Sequence, residues 1–189
     1  MNNSIIVNSF QEHKEVLERL ILETKNIKKV INVCEKVLET KNKFMFCGNG
    51  GSAADSQHLA AEFTGRFQKK VQPLPAIALT TDTSVLTAIG NDFSFEEVFS
   101  RQVLALGQSG DLLFAISTSG NSKNIIKAVN TAKDIGIHTV ALVGYDGGEL
   151  AKVTDFSVIV DSSFTARIQE MHILVGHIIC EALDKKREF

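Results

Sequence analysis

Residues 44–55 read FMFCGNGGSAAD, an apolar run that leads directly into a glycine-rich turn and then into a helix-forming sequence. Strand, turn and helix in this succession are typical of a parallel α/β unit. Four further apolar runs follow along the chain, and longer polar segments separate them. Continuous rather than alternating apolar runs indicate parallel strands that are buried on both faces. The five predicted strands cover 44–47, 76–79, 112–116, 139–143 and 156–160.

The segments between the runs are long enough for the crossover helices that parallel strands require. We predict helices over 52–67, 95–106, 123–135 and about 166–187. Before the first strand, apolar residues at three- and four-residue steps predict two amphipathic helices over 8–41. The expected fold class is α/β, a three-layer sandwich around a five-stranded parallel sheet with an added N-terminal helical pair.

A length of 189 residues suits a single domain. We expect one domain over 1–189, with the N-terminal helices in 1–42 and the parallel core in 43–189. The helical pair suits either a layer that covers the core or a surface for oligomer formation. The sequence pattern alone fits both interpretations.

The composition excludes several classes of protein. Hydrophobic residues make up 44% of the chain, which is enough for a core and excludes a disordered protein. The formal net charge is −2 with no basic block, so a nucleic-acid partner is not expected. Apolar runs stay well below the ~18 residues of a membrane span, and the N-terminus lacks the layout of a secretory signal. Three widely spaced cysteines, Cys34, Cys47 and Cys180, favour a reduced cytoplasmic protein.

The first strand is followed by CGNGGSAAD (47–55), whose glycines allow main-chain N–H groups to approach a ligand. It is neither a Walker A loop nor a GxGxxG motif, and a glycine-rich turn alone is weak evidence for function. Ser52 and Asp55 are spaced like a capping box, which predicts that they cap the next helix.

The third strand is followed by STSGNS (117–122), which places four hydroxyls at a predicted helix N-terminus. Free N–H groups and the helix dipole favour an anion at such a position. Because the turn contains no lysine or arginine, it favours a single phosphoryl group over a nucleoside triphosphate. The alternative is a plain serine-rich turn in which Ser122 is the N-cap.

Titratable residues cluster on two predicted helices. His58 and Glu62 are four residues apart and therefore share one helix face, a spacing that suits metal ligation or an acid–base pair; a surface ion pair is the simpler explanation. His177 lies in an apolar stretch of the last helix and is either a core histidine or a functional one.

Gln169 precedes His177 by eight residues, which is about 12 Å along a continuous helix. If both residues serve one site, either the helix is broken near 169 or one of them comes from a neighbouring subunit. We favour the shared site as a hypothesis.

Taken together, these motifs resemble the phosphoheptose isomerases of the sugar-isomerase (SIS) superfamily over nearly the whole chain. The motifs that carry the resemblance are CGNGGSAAD (47–55), His58, Glu62 with Thr64-Gly65-Arg66, Gly90-Asn91-Asp92, STSGNS (117–122) and Arg167-Ile168-Gln169-Glu170-Met171-His172.

The resemblance implies an SIS fold, a homotetramer with active sites between subunits, and zinc as cofactor. It implies conversion of D-sedoheptulose 7-phosphate into D-glycero-D-manno-heptose 7-phosphate, the first step towards nucleotide-activated heptoses for lipopolysaccharide core, capsule or surface-layer glycans. The implied metal ligands are His58, Glu62, Gln169 and His177. The implied substrate-binding residues are Asn49, Gly50, Gly51, Glu62, Asn91, Asp92, Ser117, Thr118, Ser119, Ser122 and Gln169. Contacts from the loop 80–84 stay unassigned.

Ketose–aldose conversion through an enediol requires a base that removes a proton from carbon and an acid that protonates oxygen. We assign Glu62 as the base and His177 as the acid. Metal ligation lowers the basicity of both groups, so ligation and proton transfer compete at these two residues.

Three other classes of the superfamily are weighed against this hypothesis. A non-catalytic tetramer that binds the replication initiator protein shares features of 144–150 and 166–172, but it lacks the acid–base pair. A sugar-phosphate-sensing transcription regulator requires a DNA-binding domain, and here only about forty residues without basic excess precede the sheet. Amino-sugar isomerases usually carry two copies of the domain, whereas we expect one domain in this chain.

Overall fold

The structure, a computed structural model, describes residues 3–68 and 71–186. The first two residues of the predicted domain and Arg187 at the end of its predicted last helix lie outside this range. In chain order the elements are α1 (Asn3–Leu20), α2 (Thr24–Glu39), β1 (Phe44–Gly48), α3 (Gly51–Thr64), β2 (Ala76–Ala78), α4 (Thr83–Asp92), α5 (Ser100–Leu106), β3 (Leu112–Ser117), α6 (Lys123–Asp134), β4 (His138–Gly144), α7 (Gly148–Val153), β5 (Phe156–Val160) and α8 (Thr165–Lys186), with 3₁₀ turns at Ile21–Glu23 and Phe95–Glu97.

The five strands form one sheet in the order β2-β1-β3-β4-β5, and every pair is parallel. The predicted α/β fold class with a five-stranded parallel sheet is confirmed. The strand order reverses between β1 and β3, so the connections that follow these two strands lead to opposite edges of the sheet. In open parallel sheets, ligands bind in the crevice at this reversal, beyond the carboxyl ends of the strands.

Alternate residues of β1 point to opposite faces of the sheet, and each face has its own hydrophobic core. Phe44 and Phe46 both pack with Phe63 of α3, and Phe46 also packs with Phe114 of β3, with ring centroids 4.8 to 5.4 Å apart. Helices α2, α3 and α8 cover this face, while α5 and α6 cover the other. Burial on both sides explains why the strands read as unbroken apolar runs.

Several predicted boundaries need correction. Helix α4 was not predicted; the sequence placed a loop at 80–84 and gave no element to the residues after it, where Thr, Gly and Asn are poor helix formers. Asp82 caps this helix by accepting the Val85 N–H at 3.0 Å. The helix predicted over 95–106 is a 3₁₀ turn followed by α5, the short α7 was not predicted, and α1 starts well before residue 8.

The structure also bears on the membrane-spanning class and on the state of the cysteines. None of the described helices combines the length and apolar character needed to cross a membrane. The three cysteines are free and buried.

Candidate active site

The loops after β1 and β3 meet where the strand order reverses. The side-chain amides of Asn49 and Asn124 donate to each other, and both distances are 2.9 Å. Asn124 is buried in the first turn of α6, so this amide pair fixes the glycine-rich loop of 47–51 against the start of that helix. The glycine-rich loop is therefore joined to the helix that follows the turn 117–122.

The turn 117–122 presents its hydroxyls at the start of α6. Ser122 is at the N-cap position as predicted, yet its side chain does not cap the helix; its Oγ lies 3.1 Å from Ser117 Oγ. Ser119 Oγ accepts the backbone N–H of Asn121 at 3.2 Å. Gly120 has a φ of +65°, and a Cβ there would clash with the Gly147 backbone. The first-turn amides of a helix have no intrahelical partner and can bind an anion.

Gln169, near the start of α8, closes the other side of this loop cluster. A Cβ on Gly51 would collide with the Gln169 side-chain amide, so the absence of a side chain at 51 makes room for this contact. Gln169 is partly buried. The structure thus places Asn49, Gly50, Gly51 and Gln169 together at the carboxyl edge of the sheet.

A second cluster lies further along α3 and α8. His58 Nε2 is 3.2 Å from Glu62 Oε1 and 3.1 Å from His177 Nε2. One ligand atom from each of these three residues lies within 4.8 Å of the others, a group that can hold a metal ion. The side chains of His58 and Glu62 are 47% and 24% exposed, so the cluster is accessible from solvent. His177 is only partly buried, so it is not a core histidine. Its contact with His58 makes the pair of His58 and Glu62 part of a larger group rather than a surface ion pair alone.

The predicted capping box at Ser52 and Asp55 is wrong. The helix starts at Gly51 with Gly50 as its N-cap, and no side chain caps it. Ser52 is buried, and one carboxylate oxygen of Asp55 is buried with no hydrogen-bond partner among the described residues. Burial raises the pKa of the Asp55 carboxyl, while the nearby His58 acts in the opposite direction.

The contact of Gly51 with Gln169 and the cluster of His58, Glu62 and His177 lie at different positions along α3 and α8. Helices α3 and α8 run side by side in the same direction, since Gly51 faces Gln169 and Leu59 faces Gly176. Helix α8 is continuous from Thr165 to Lys186, so the predicted alternative of a break near 169 is wrong. His177 therefore lies about 12 Å beyond Gln169 along the axis.

Asn91 and Asp92 lie at the C-terminal end of α4, exposed, and the Asn91 amide donates to the Asp92 carboxylate at 2.9 Å. Within this one chain the structure gives no contact between them and the two clusters among the described residues. In the 80–84 loop, Thr80 Oγ1 donates to the Ala53 carbonyl of α3 at 3.4 Å, and Asp82 caps α4.

One residue next to the second cluster was missed by sequence reasoning. The ring of Phe67 lies 5.3 Å from the His177 ring, centroid to centroid. Phe67 follows the Thr64-Gly65-Arg66 motif, but no periodicity or spacing indicated that it would reach α8.

Comparisons with known proteins identify the family of this chain. The family model of the SIS domain matches residues 9–144. The chain is 49% identical over 184 residues to a phosphoheptose isomerase of Aliarcobacter butzleri, covering 97% of each chain. A solved phosphoheptose isomerase of Neisseria gonorrhoeae is 44% identical with a TM-score of 0.92, covering 97% of this chain and 98% of that one.

A second solved phosphoheptose isomerase, from Francisella tularensis, has a TM-score of 0.93 at 35% identity and covers 98% of this chain and 100% of that one. The resemblance inferred from the motifs is confirmed, and nothing in these comparisons favours the non-catalytic class. The chain belongs to the SIS-domain family and, within it, to the phosphoheptose isomerases, which are sugar-phosphate isomerase enzymes.

Proposed function

We propose that this enzyme converts D-sedoheptulose 7-phosphate into D-glycero-D-manno-heptose 7-phosphate through an enediol. The observation that carries the proposal is the convergence of the Glu62 carboxylate and the His177 imidazole beside His58. A carboxylate and an imidazole in one accessible cluster supply the base and the acid that ketose–aldose conversion needs. The names of the similar proteins support the substrate class.

In this proposal Glu62 removes a proton from C1 of the ketose and returns it to C2, while His177 protonates and deprotonates the oxygens. Glu62 must reach two adjacent carbons and His177 the oxygens bonded to them, which their common position next to His58 allows. Partial exposure of Glu62 lets it exchange its proton with solvent while the enediol exists.

The phosphate binds at the start of α6 in this proposal. The hydroxyls of Ser117, Thr118, Ser119 and Ser122 donate to its oxygens, and first-turn amides complete the cradle. The sugar hydroxyls contact Asn49, Gly50, Gly51, Gln169, Asn91, Asp92 and Glu62.

We further infer a metal ion, with zinc as the expected identity. The donor set fits, because two imidazoles and a carboxylate are ligands that zinc accepts and they already face one another. His58, Glu62 and His177 would hold the ion together with Gln169. When bound, zinc would supply Lewis-acid polarisation of the substrate oxygens. Since ligation and proton transfer compete at Glu62 and His177, loose ligation is expected at these two.

We propose a homotetramer in which each active site draws residues from more than one subunit. The unbroken α8 supports sharing of the site between subunits, because within one chain about 12 Å of helix separates Gln169 from His177. The first half of α1 supports assembly, because Ile5, Ile6 and Phe10 are 53 to 73% exposed. We accordingly assign oligomer formation to 1–42 within a single domain of 1–189.

The proposed setting is the cytoplasm, which the free, buried cysteines support. No nucleic acid or membrane is part of the proposed reaction. The product would feed nucleotide-activated heptoses for lipopolysaccharide core, capsule or surface-layer glycans.

The test is aldose formation from sedoheptulose 7-phosphate by the purified protein, with capture of the replication initiator protein as the counter-assay. Formation of the aldose 7-phosphate supports the proposal. Binding of the initiator without any turnover, in protein loaded with zinc, would overturn it.

A further inference from the structure

The imidazole of His177 is constrained on one face by an aromatic ring. The Phe67 ring centroid lies 5.3 Å from that of His177, with an angle of 33° between the planes. Nε2 of the same imidazole lies 3.1 Å from His58 Nε2. The rings of Phe67 and His58 are thus both close neighbours of the proposed acid, and Phe67 is the one without a polar side-chain atom.

The segment that carries Phe67 is fastened to the same helix as His177. After α3 ends, the Gly65 N–H donates to the Ala61 carbonyl at 2.8 Å, and the Gln68 N–H donates to Asp184 Oδ2 at 3.1 Å. Asp184 is buried on α8, seven residues after His177 and so on the same helix face. The chain at 65–68 is therefore held along α8 with Phe67 beside His177.

The Phe67 ring also contacts the hydrophobic core. Phe67 packs against the buried core of the face that α3 and α8 cover. A partly buried ring that is backed by the core has few rotamers to choose from, and so it restricts the rotamers of the imidazole against it. Aromatic pairs at this separation are attractive, and neighbours that orient a ligand or catalytic group influence its performance.

We propose that Phe67 is a positioning residue for His177, holding the imidazole so that Nε2 faces His58 and Glu62. This inference rests on the proposed function, and it adds a residue outside the ligand and substrate set. Phe67 has no polar atom and takes no part in proton transfer. Its effect is on the orientation of His177 alone.

The experiment compares Phe67→Leu, which removes the ring face, with Phe67→Tyr, which keeps it. Phe156→Leu is the matched control, because Phe156 packs against the same core from β5. Each purified variant is assayed for KM and kcat with sedoheptulose 7-phosphate, for Zn²⁺ affinity by competition with a chromogenic chelator, and for Tm.

Phe67→Leu is expected to lower kcat about tenfold and Zn²⁺ affinity by a similar factor, as is typical when a supporting neighbour is lost. KM should stay within about twofold, because the proposed phosphate cradle lies at the start of α6, which Asn49 joins to the loop before α3, whereas Phe67 follows the end of α3. Phe67→Tyr and Phe156→Leu should keep wild-type kcat and Zn²⁺ affinity.

Unchanged kcat and Zn²⁺ affinity in Phe67→Leu would overturn the inference, as would a rise in KM alone. If Phe67→Leu does not fold, Phe67→Met is judged by the same criteria, since it fills most of the volume without a ring. An inactive wild type would instead refute the proposed function, and the Zn²⁺ measurement separates the two failures.

Discussion

Gln169 and His177 lie on one unbroken helix, and yet they face different partners. Gln169 packs against Gly51 at the carboxyl edge of the sheet, and His177 faces His58 two turns further along. Eight residues of helix separate the two by about 12 Å. A single metal ion cannot contact both side chains of one straight helix at that spacing, which is why the proposed site combines subunits.

Mixed oligomers test this sharing. If Gln169→Ala and His177→Ala chains are co-expressed and assemble at random, a site that takes the two residues from different chains is intact in about a quarter of cases. We expect activity to recover towards that level, measured as kcat per site, although each variant alone is inactive. No recovery in oligomers shown by mass spectrometry to be mixed would contradict the shared site.

Glu62→Gln tests the proposed base. The amide keeps the size of the side chain and removes its ability to accept the proton, so kcat should fall by about 10² to 10⁴-fold while substrate affinity stays near normal. Steady-state kinetics and equilibrium binding of substrate measure the two quantities. Glu149→Gln, an exposed carboxylate on α7, serves as control. Substantial turnover in Glu62→Gln would end the assignment.

Thr118→Val tests the phosphate cradle. Valine keeps the shape and removes the hydroxyl, and a hydrogen bond to a charged group contributes about 1.5–3 kcal/mol. We therefore expect KM to rise about tenfold or more and inhibition by inorganic phosphate to weaken in parallel. Ser163→Ala, in the loop after β5, should leave both values unchanged. An unaltered KM in Thr118→Val would place the phosphate elsewhere.

His172 makes the stability of the fold depend on pH. Burial lowers the pKa of His172 to about 4, and the neighbouring Val143 backbone offsets this only in part. Between about pH 6.5 and 4 the unfolded chain binds a proton there and the folded chain does not. The folded state should therefore lose up to about 3 kcal/mol as the pH falls through this window.

Denaturant unfolding at pH 7 and pH 4 measures that loss. His172→Leu should show a smaller decrease between the two pH values, whereas exposed His138→Gln should behave like the wild type. An identical decrease in wild type and His172→Leu would refute the role of this imidazole.

Much of the fold was predictable because its signals are local. The five strands are continuous apolar runs, and both faces of β1 are buried as that pattern indicates. Helix α4 was missed because its stability comes from the Asp82 cap and its surroundings rather than from intrinsic helix propensity. The failure of the capping box at Ser52 has a similar origin, since the tight turn at Gly50 sets the start of α3.

The candidate site was predictable only in part. Spacing placed His58 and Glu62 on one face of a helix, but the contact of His58 with His177 joins residues 119 positions apart. That contact depends on how α3 and α8 pack, which Gly176 permits by leaving room for Leu59. The same packing brings Phe67 to His177, and no sequence motif encodes it.

Glu62 transfers a proton from one carbon to the next in the proposed mechanism, and isomerisation in deuterated water tests this directly. By ¹H NMR, the wild-type enzyme should form aldose 7-phosphate that carries deuterium at C2, because the partly exposed Glu62 exchanges its proton with solvent. Glu62→Gln should form the aldose and deuterated ketose at least about 100-fold more slowly than the wild type. Aldose that carries only protium at C2, or deuterated product made at the normal rate by Glu62→Gln, would contradict the mechanism.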